Sequence, residues 1–577
     1  MGLKKRLFPS LLLISSIPIL HAAPTLRVTA SALGPIPVST GGTAPTQTLE
    51  AYNIGDGSMT LTMSSSVTWI TPTVGASRAC STMNPPTPAS ACIPLQFALN
   101  TSSLAAGTYT GVVTITAPNT IDAPQTITIT VRVGAVDVFM APGATRDFQV
   151  STMHPVNTRA TTQDGSNWLS LSLEGTGSFR FIYPYNIHIA PVDGMNPGNY
   201  TGSVISSGSS VSGENFTIPV TMHLTTQPIA EASPNQVSLR LGQGAPPLVP
   251  PFSPLILVNN LGQGSLAVQS ATASGGSWLK TGDFVPCMPL APYCGYLSID
   301  PSNLSPGDNS GTVTLTTNAA NGTITIPVSL TVTAKGAPLI YYQGVLDNGT
   351  FVPGDTVAAG DVMVVKGEQL SFNPYTPGQA PPLINTLGGA TITVNGVQAP
   401  FYYSSSGQLA FQMPYEIPAG MAQVQVQRDG QTSNIVTVNV APRAPRIIAI
   451  VNPDSRCPAG TPPGLCVNTS DGAHPAQSGD VLTIYAIGLG PTSPSVATGA
   501  PAPIAEPLAR VTDPSLVVFG TGPTAPTSQP FFIGLTPASS GLYQANVTIP
   551  DDSPKGLIPL RLGVADSVSN VVLIAVQ

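Results

Sequence analysis

Trp69-Ile70-Thr71-Pro72, Trp168-Leu169-Ser170 and Trp278-Leu279-Lys280 hold the chain's three tryptophans. Each phrase is answered downstream by a second one: LAAGTYTG at 104–111, MNPGNYTG at 195–202 and LSPGDNSG at 304–311. An alternating run follows each answer, at 112–116, 203–206 and 312–316, and a closing strand is expected at 125–133, 216–224 and 323–332. Ala-Gly or Pro-Gly makes a turn, and a period-2 run after it buries one face of a sheet. Units of about 100 residues with short strands and regular turn signals are the pattern of β-sandwiches. One Trp per unit at an equivalent place reads as a core residue; a solvent-facing platform for sugar is the competing role.

The second half of the chain repeats by another rule. Residues 407–440 align without gaps on 543–576 at an offset of 136, matching Gln408 to Gln544, Pro414 to Pro550, Gly420 to Gly556 and Ser433-Asn434 to Ser569-Asn570. Upstream, Gly360-Asp361-Val362 matches Gly479-Asp480-Val481 at an offset of 119. The second copy therefore carries 17 extra residues, expected in the Pro- and Gly-rich loops between Pro491 and Pro530. The expected plan is all-β: a signal peptide (1–23), then immunoglobulin-like sandwiches over 24–135, 136–228 (degenerate at its start), 229–336, 337–442 and 443–577, the last with a loop insertion.

The motifs of the first half resemble those of BACON domains, a bacterial family of immunoglobulin-like modules. The shared pattern is the Trp-Leu/Ile-Ser/Thr phrase followed by Leu-x-x-Gly-x-Tyr-x-Gly; the third unit departs from it with Asn309 in place of Tyr. The family's name advertises carbohydrate binding, but its shared phrases determine the fold, so no binding residue carries over. The second half is similar to the Solibacter-type C-terminal domain of secreted soil-bacterial proteins. VNGVQAP (394–400), GQLAFQMP (407–414), DVLTIYAIGLGP (480–491) and GLYQANVTIP (541–550) carry that resemblance. It implies two IPT/TIG-like halves and export, with no activity attached.

Composition agrees with an exported protein. Lys4, Lys5 and Arg6 precede an apolar stretch, and small residues at Ala22 and Ala23 mark the expected cleavage site, the pattern of a signal peptide. The mature form is expected to be secreted, with periplasm or cell surface as the other exported destinations, and not inserted in a membrane. Six cysteines fall in three close pairs: Cys80 with Cys92, Cys287 with Cys294, and Cys457 with Cys466. Local disulfides are the expected pairing; a zinc site would need Cys/His ligands at short spacings, and no C-x-x-C occurs. Only 8% of residues are charged and the net charge is −7, which gives no electrostatic footprint for nucleic acid.

Catalytic patterns are missing from the sequence. There is no G-x-S-x-G, H-E-x-x-H or Walker loop, each of which carries a specific chemistry. His188 and His223 sit at alternating strand positions, and His154 and His474 precede prolines in loops. The adjacent pair Asp551-Asp552 reads as a polar turn. Nothing calls for a cofactor or metal, although a weak calcium site assembled from turn Asp and Asn residues stays open. Phe401-Tyr402-Tyr403 falls where core is expected. The run Phe179, Phe181, Tyr183 and Tyr185 is peculiar to the second unit, and aromatic rings suit stacking on sugar. Those four are the candidate contact surface, with core and strand edge as the competing reading. The expected function is non-enzymatic binding or adhesion outside the cell, with a polysaccharide or cell-envelope glycan as partner. The alternatives are a spacer or matrix protein without a ligand and, third, a hydrolase or its accessory.

Overall fold

A computed structural model of the chain describes residues 23–80, 91–152, 154, 156–173, 183–250, 252–288, 290–457, 461, 466–468 and 474–577. Most of the expected signal peptide, residues 1–22, lies outside them. Apart from single turns of 3-10 helix at Ser212–Glu214 and Asp454–Arg456, the regular structure of the described residues is β-strand. Five separate apolar cores form, drawn from residues 26–133, 136–224, 230–332, 340–440 and 447–576. Each lies between two sheets, so the chain is a tandem of β-sandwiches.

The first sandwich shows the plan. One sheet runs Leu26–Val28, Ala44–Asn53, Cys92–Leu99, Ile70–Val74; the facing sheet runs Ala32–Val38, Gln125–Val133, Gly107–Thr116, Thr62–Ser65. Ala32–Val38 lies parallel to the closing strand Gln125–Val133 while the other pairings are antiparallel. The same parallel pairing recurs between Val136–Met140 and Thr217–Leu224, Val237–Gly242 and Thr323–Thr333, and Val357–Ala358 and Val436–Ala441. In the fifth unit it shrinks to a single bridge, Ala476 to Val576.

Trp69, Trp168 and Trp278 are 7%, 0% and 5% exposed, which rules out a solvent-facing platform. The glycine that ends each answering phrase lies against the indole. A methyl at Gly111, Gly202 or Gly311 would come within 3.3–3.4 Å of the Cζ2 of its Trp and within 2.5–2.9 Å of the neighbouring Ile70, Leu169 or Leu279. The two phrases are therefore two halves of one contact. Because of it, the Tyr-x-Gly step is not a lead-in to the strand: the strands Gly107–Thr116, Gly198–Ser207 and Gly307–Thr317 begin four residues earlier and pair with the closing strand throughout.

The 136-residue repeat is real in three dimensions. Gly420–Arg428 and Gly556–Val564 are equivalent strands, and the Ser-Asn pairs after them make equivalent bonds. Ser433 and Ser569 Oγ accept from the N–H of Val426 and Leu562 at 2.9 and 3.0 Å. Asn434 and Asn570 Oδ1 accept from the N–H of Ile340 and Ile447, in the first strand of each unit, at 2.8 and 2.7 Å. Thr492–Ser493, Ser515–Phe519 and Thr527–Ser528 take the sheet places of Thr376–Pro377, Ala390–Val394 and Val397–Ala399 in the first copy. The strand added in the second copy is Arg510–Val511, with the other extra residues in the loops between them.

The cysteines pair locally, within their own sandwiches. Cys80 is bonded to Cys92, Cys287 to Cys294 and Cys457 to Cys466, with Cα–Cα distances of 4.8, 5.9 and 5.7 Å. Cys92 and Cys466 are fully buried, so one sulfur of each of those two bridges sits inside the protein. Cys294 lies in the strand Ala291–Ile299 and ties it to Val285–Cys287 beside it. With every sulfur in a bridge, these residues offer no thiolate to zinc.

The sandwiches are not beads on a string. Arg132 of the first lies 4.3 Å over the Phe148 ring of the second, Arg146 of the second pairs with Glu231 of the third at 2.7 Å, and Arg240 of the third pairs with Glu368 of the fourth at 2.7 Å. The fourth then returns to the first. Asp122, 1% exposed, accepts from Thr437 Oγ1 at 3.0 Å while paired with Arg27 at 2.7 Å, and Asn434 Nδ2 donates to the Ala123 carbonyl at 2.8 Å. Four sandwiches thus close a ring. The fifth docks on the fourth through Arg446–Asp355 (3.0 Å) and a bond from the Tyr402 hydroxyl to the Ser540 carbonyl (2.7 Å).

Candidate functional site

Of the aromatic run in the second unit, the structure describes Tyr183 and Tyr185. Tyr185 is 4% exposed and its ring belongs to the second core, with its hydroxyl 3.3 Å from the Val156 carbonyl. This corrects its assignment as a contact residue: in the strand Tyr183–Ile189, positions 185, 187 and 189 face inward. Tyr183 is half-buried against the same core. Phe179 and Phe181 lie outside the described residues.

A different aromatic group gathers where the third and fourth sandwiches meet. Phe252, in the loop before Leu255–Asn260, comes together with Tyr375 and Tyr403 of the fourth unit. The ring centroids are 5.1 Å (Phe252–Tyr375), 5.5 Å (Phe252–Tyr403) and 5.9 Å (Tyr375–Tyr403) apart, all tilted. Tyr375 is 37% exposed and the other two are half-buried. Phe252 and Tyr375, with Tyr403 packed behind them, line a cleft of about 330 Å³ together with the apolar Leu239, Leu241 and Tyr341 and the polar Lys366, Asn373 and Gln408. Gln408 Nε2 donates to the Tyr403 hydroxyl, and burial raises the phenol's pKa, so the ring stays neutral.

Local sequence fixes this junction. Gln369 Oε1 accepts from the Gly336 N–H at 2.9 Å, and its Nε2 donates to Thr333 Oγ1 and the Ala334 carbonyl at 3.1 and 3.0 Å. Its chain lies where a methyl at Gly242 would come within 2.5 Å, so only glycine admits it there. Arg428, 2% exposed, donates to the carbonyls of Gln369 and Gly336 and stacks 4.1 Å over Phe372, whose ring also carries Lys335 at 4.6 Å. The linker 333–336 is thus tied closely to the fourth sandwich. Behind the wall, burial raises the pKa of Glu368 and the Arg240 charge opposes that shift; burial and Glu368 together raise Tyr341.

Sequence reasoning missed this site. Phe252 lies in one unit and Tyr375 and Tyr403 in another, and no spacing rule joins them. Core was the expectation for 401–403; it holds for Phe401, which is 0% exposed, whereas Tyr402 turns to the fifth sandwich and Tyr403 to Phe252 of the third.

Three histidines pair with carboxylates: His188 with Asp147 at 2.6 Å and His223 with Asp137 at 2.5 Å across strands, and His154 with Glu214 of the 3-10 turn at 3.0 Å. Ser170, His188 and Asp147 are neighbours in register across one sheet. They have the order of a proton relay, but the His188 and Asp147 side chains are 42% and 62% exposed. Developing charge there would be screened by water rather than stabilised as in a closed active site. Among the described residues no group of three His, Cys, Asp or Glu is placed to hold a metal ion, and no helix is long and apolar enough to cross a membrane.

No family model matches the chain, and no curated protein matches it. Among solved structures, an endo-fucoidan hydrolase of glycoside hydrolase family 107 is similar at 13% identity and a TM-score of 0.15 over 54% of this chain; this chain spans 45% of that one, less than half its length. The human desmocollin-1 ectodomain is similar at 11% identity and 0.15, over 72% of this chain and 79% of that one. The eight N-terminal immunoglobulin domains of Down syndrome cell adhesion molecule give 10% and 0.15, over 97% and 70%. At such scores these likenesses carry no argument, and the reading of the chain rests on its own residues.

Proposed function

We propose that the chain is an exported, non-catalytic saccharide-binding protein whose recognition site is the cleft between the third and fourth sandwiches. The observation that carries this reading is the Phe252–Tyr375 pair, backed by Tyr403, lining a cavity edged by amide and amine donors. Sugar rings present apolar C–H faces and a belt of hydroxyls, so flat aromatic surface beside fixed polar groups answers both. Clefts at domain junctions of this size are where small ligands bind. Three disulfides support export, since such bonds persist in oxidising compartments. Membership of the BACON-like and Solibacter-type families is part of the same proposal.

Binding by the intact mature protein is measured on a panel of polysaccharides and envelope preparations, alongside Tyr375→Ala. We expect saturable binding by the wild type and at least a tenfold loss in the variant, as stacked aromatic anchors carry a large share of such affinity. A folded wild type that binds no glycan in the panel would remove the proposal and leave a scaffold without a ligand.

A further inference from the structure

We infer that the cleft takes an anionic sugar unit, carrying a carboxylate or a sulfate ester, with Lys366 as its counter-charge. This rests on the saccharide reading of the same cleft and adds the charge of the ligand. The chain as a whole is acidic, 27 Asp and Glu against 20 Lys and Arg. The cleft reverses that balance: among the described residues Arg240 and Lys366 line it, and no Asp or Glu does.

The two cations differ in what they have left to offer. Arg240 is engaged by Glu368 through Nε at 2.7 Å, and Glu368, 7% exposed, stands behind the wall. Its charge is answered from inside the protein. Lys366 is exposed, and among the described residues it makes no ion pair; its ammonium lies 5.6 Å over the Phe351 ring. An aromatic face attracts an ammonium but leaves its N–H donors free for an anion. Lys366 stands in the strand Val362–Glu368, paired on both sides, so its stem leaves the sheet from a fixed place and its flexible chain carries the charge. Phe252, Tyr375 and Lys366 therefore line one cavity, as a stacking sugar ring with an acidic substituent requires. A neutral sugar would leave Lys366 without a role and gain nothing from it.

Matched polymers separate the two readings: polygalacturonate against neutral galactan, and dextran sulfate against dextran. Each is titrated at low and moderate salt with the full mature chain, Lys366→Gln, Lys366→Arg, Tyr375→Ala and, as a remote exposed control, Lys280→Gln. The expected result is about tenfold tighter binding to at least one anionic member of a pair than to its neutral partner, falling with salt. Lys366→Gln should erase most of that margin, Lys366→Arg should keep it, and Lys280→Gln should not change it. The pair that shows the margin identifies the charge as carboxylate or sulfate. Equal binding of charged and neutral polymers, with Tyr375→Ala abolishing both, would overturn the anionic ligand and leave the saccharide site standing. Anion binding lost as much in Lys280→Gln as in Lys366→Gln, and kept in Tyr375→Ala, would be diffuse surface attraction and would overturn it too. Binding to none of the four polymers would overturn both readings.

Discussion

Gly111, Gly202 and Gly311 offer the sharpest test of how the sequence encodes the sandwich, because each is required by space rather than by an unusual φ. A methyl on Gly111 would sit 2.5 Å from Ile70 Cδ1 and 2.5 Å from Val67 Cγ2; on Gly202, 2.6 Å from the Thr161 carbonyl oxygen; on Gly311, 2.6 Å from the Ser274 carbonyl oxygen. Ordinary carbon contacts lie at about 3.5–4.0 Å, so each overlap is about 1 Å. Overpacking of this kind costs about 1–3 kcal/mol, against which a glycine leaving a strand returns about 0.5–1 kcal/mol. The blocking atoms decide where in that range each site falls. In the first unit they are ends of side chains, which can rotate; in the second and third one is a backbone carbonyl of the neighbouring strand, which cannot. Gly111→Ala should therefore cost about 1 kcal/mol, and Gly202→Ala and Gly311→Ala about 2 kcal/mol or more. Ile70→Val removes the Cδ1 in the way, so its combination with Gly111→Ala should cost less than the sum of the two by about 1 kcal/mol. Leu279→Ala should not rescue Gly311→Ala, since the Ser274 carbonyl remains. Hydrogen exchange in increasing urea, followed on peptides of each sandwich, reads the units separately. Neutral or stabilising effects at Gly202 and Gly311, or additivity of the Gly111–Ile70 pair, would refute the account.

Three further outcomes follow from the bridges, the ring and its junctions. Intact mass of the exported protein should rise by two hydrogens for each of the bonds Cys80–Cys92, Cys287–Cys294 and Cys457–Cys466 on reduction, with no thiol alkylated beforehand. Asp122→Ala should loosen the contact between the first and fourth sandwiches by about 2 kcal/mol, the scale of hydrogen bonds to a charged group; solution scattering should show a larger radius, and the strand Val436–Ala441 should exchange faster. Asp361, 0% exposed at the junction with the fifth sandwich, has its pKa raised well above the usual carboxylate range by burial, with Asp347 adding to the shift and Arg446 opposing it. The folded form holds this proton more tightly than the unfolded chain, so the stability is full below a pH of about 4 and declines as pH rises through the folded pKa. Asp361→Asn, which keeps an acceptor for the Ala358 N–H, should flatten that decline in urea titrations from pH 4 to 8; an unchanged profile would show that Asp361 is not its source.

What the sequence made legible was whatever is periodic or repeated within a unit. The Trp phrases, the closing strands and the 136-residue repeat are local patterns, and Gln125–Val133 and Ser433-Asn434 do what their spacing implied. The cysteine pairing was legible for the same reason, since Cys287 and Cys294, or Cys457 and Cys466, are neighbours in the chain before they are neighbours in space. The start of the answering strands was misread because Pro-Gly and Ala-Gly suggest a turn that continues to the next glycine. In fact the second glycine is dictated by the Trp phrase and the strand beside it, through contacts between residues about 30–40 apart in the chain. Tyr185 misled for a related reason. A run alternating Tyr183 and Tyr185 with other residues shows its period but not which face is inside, and Tyr185 turned inward. The ring and the cleft left no trace, since they depend on how one sandwich meets another. Asp122 and Thr437 are 315 residues apart.

The way the units meet changes what kind of binding this architecture can support. A flexible string of modules gains strength from many weak contacts, because linkers let several engage together. Here the linker 333–336 is tied by Gln369 and Arg428, and the first sandwich is latched to the fourth by Asp122. Such a body cannot spread its modules over a surface. What it gains is a cleft whose two walls, from different sandwiches, are held in place before any ligand arrives, which lowers the ordering cost of binding. The same rigidity opposes the spacer reading, since a chain selected for reach would not fold its first unit back on its fourth. The cleft is set by the third junction itself: Gln369 and Arg428 hold the linker, the Arg240–Glu368 pair joins the two sandwiches, and Phe252 on one wall meets Tyr375 on the other.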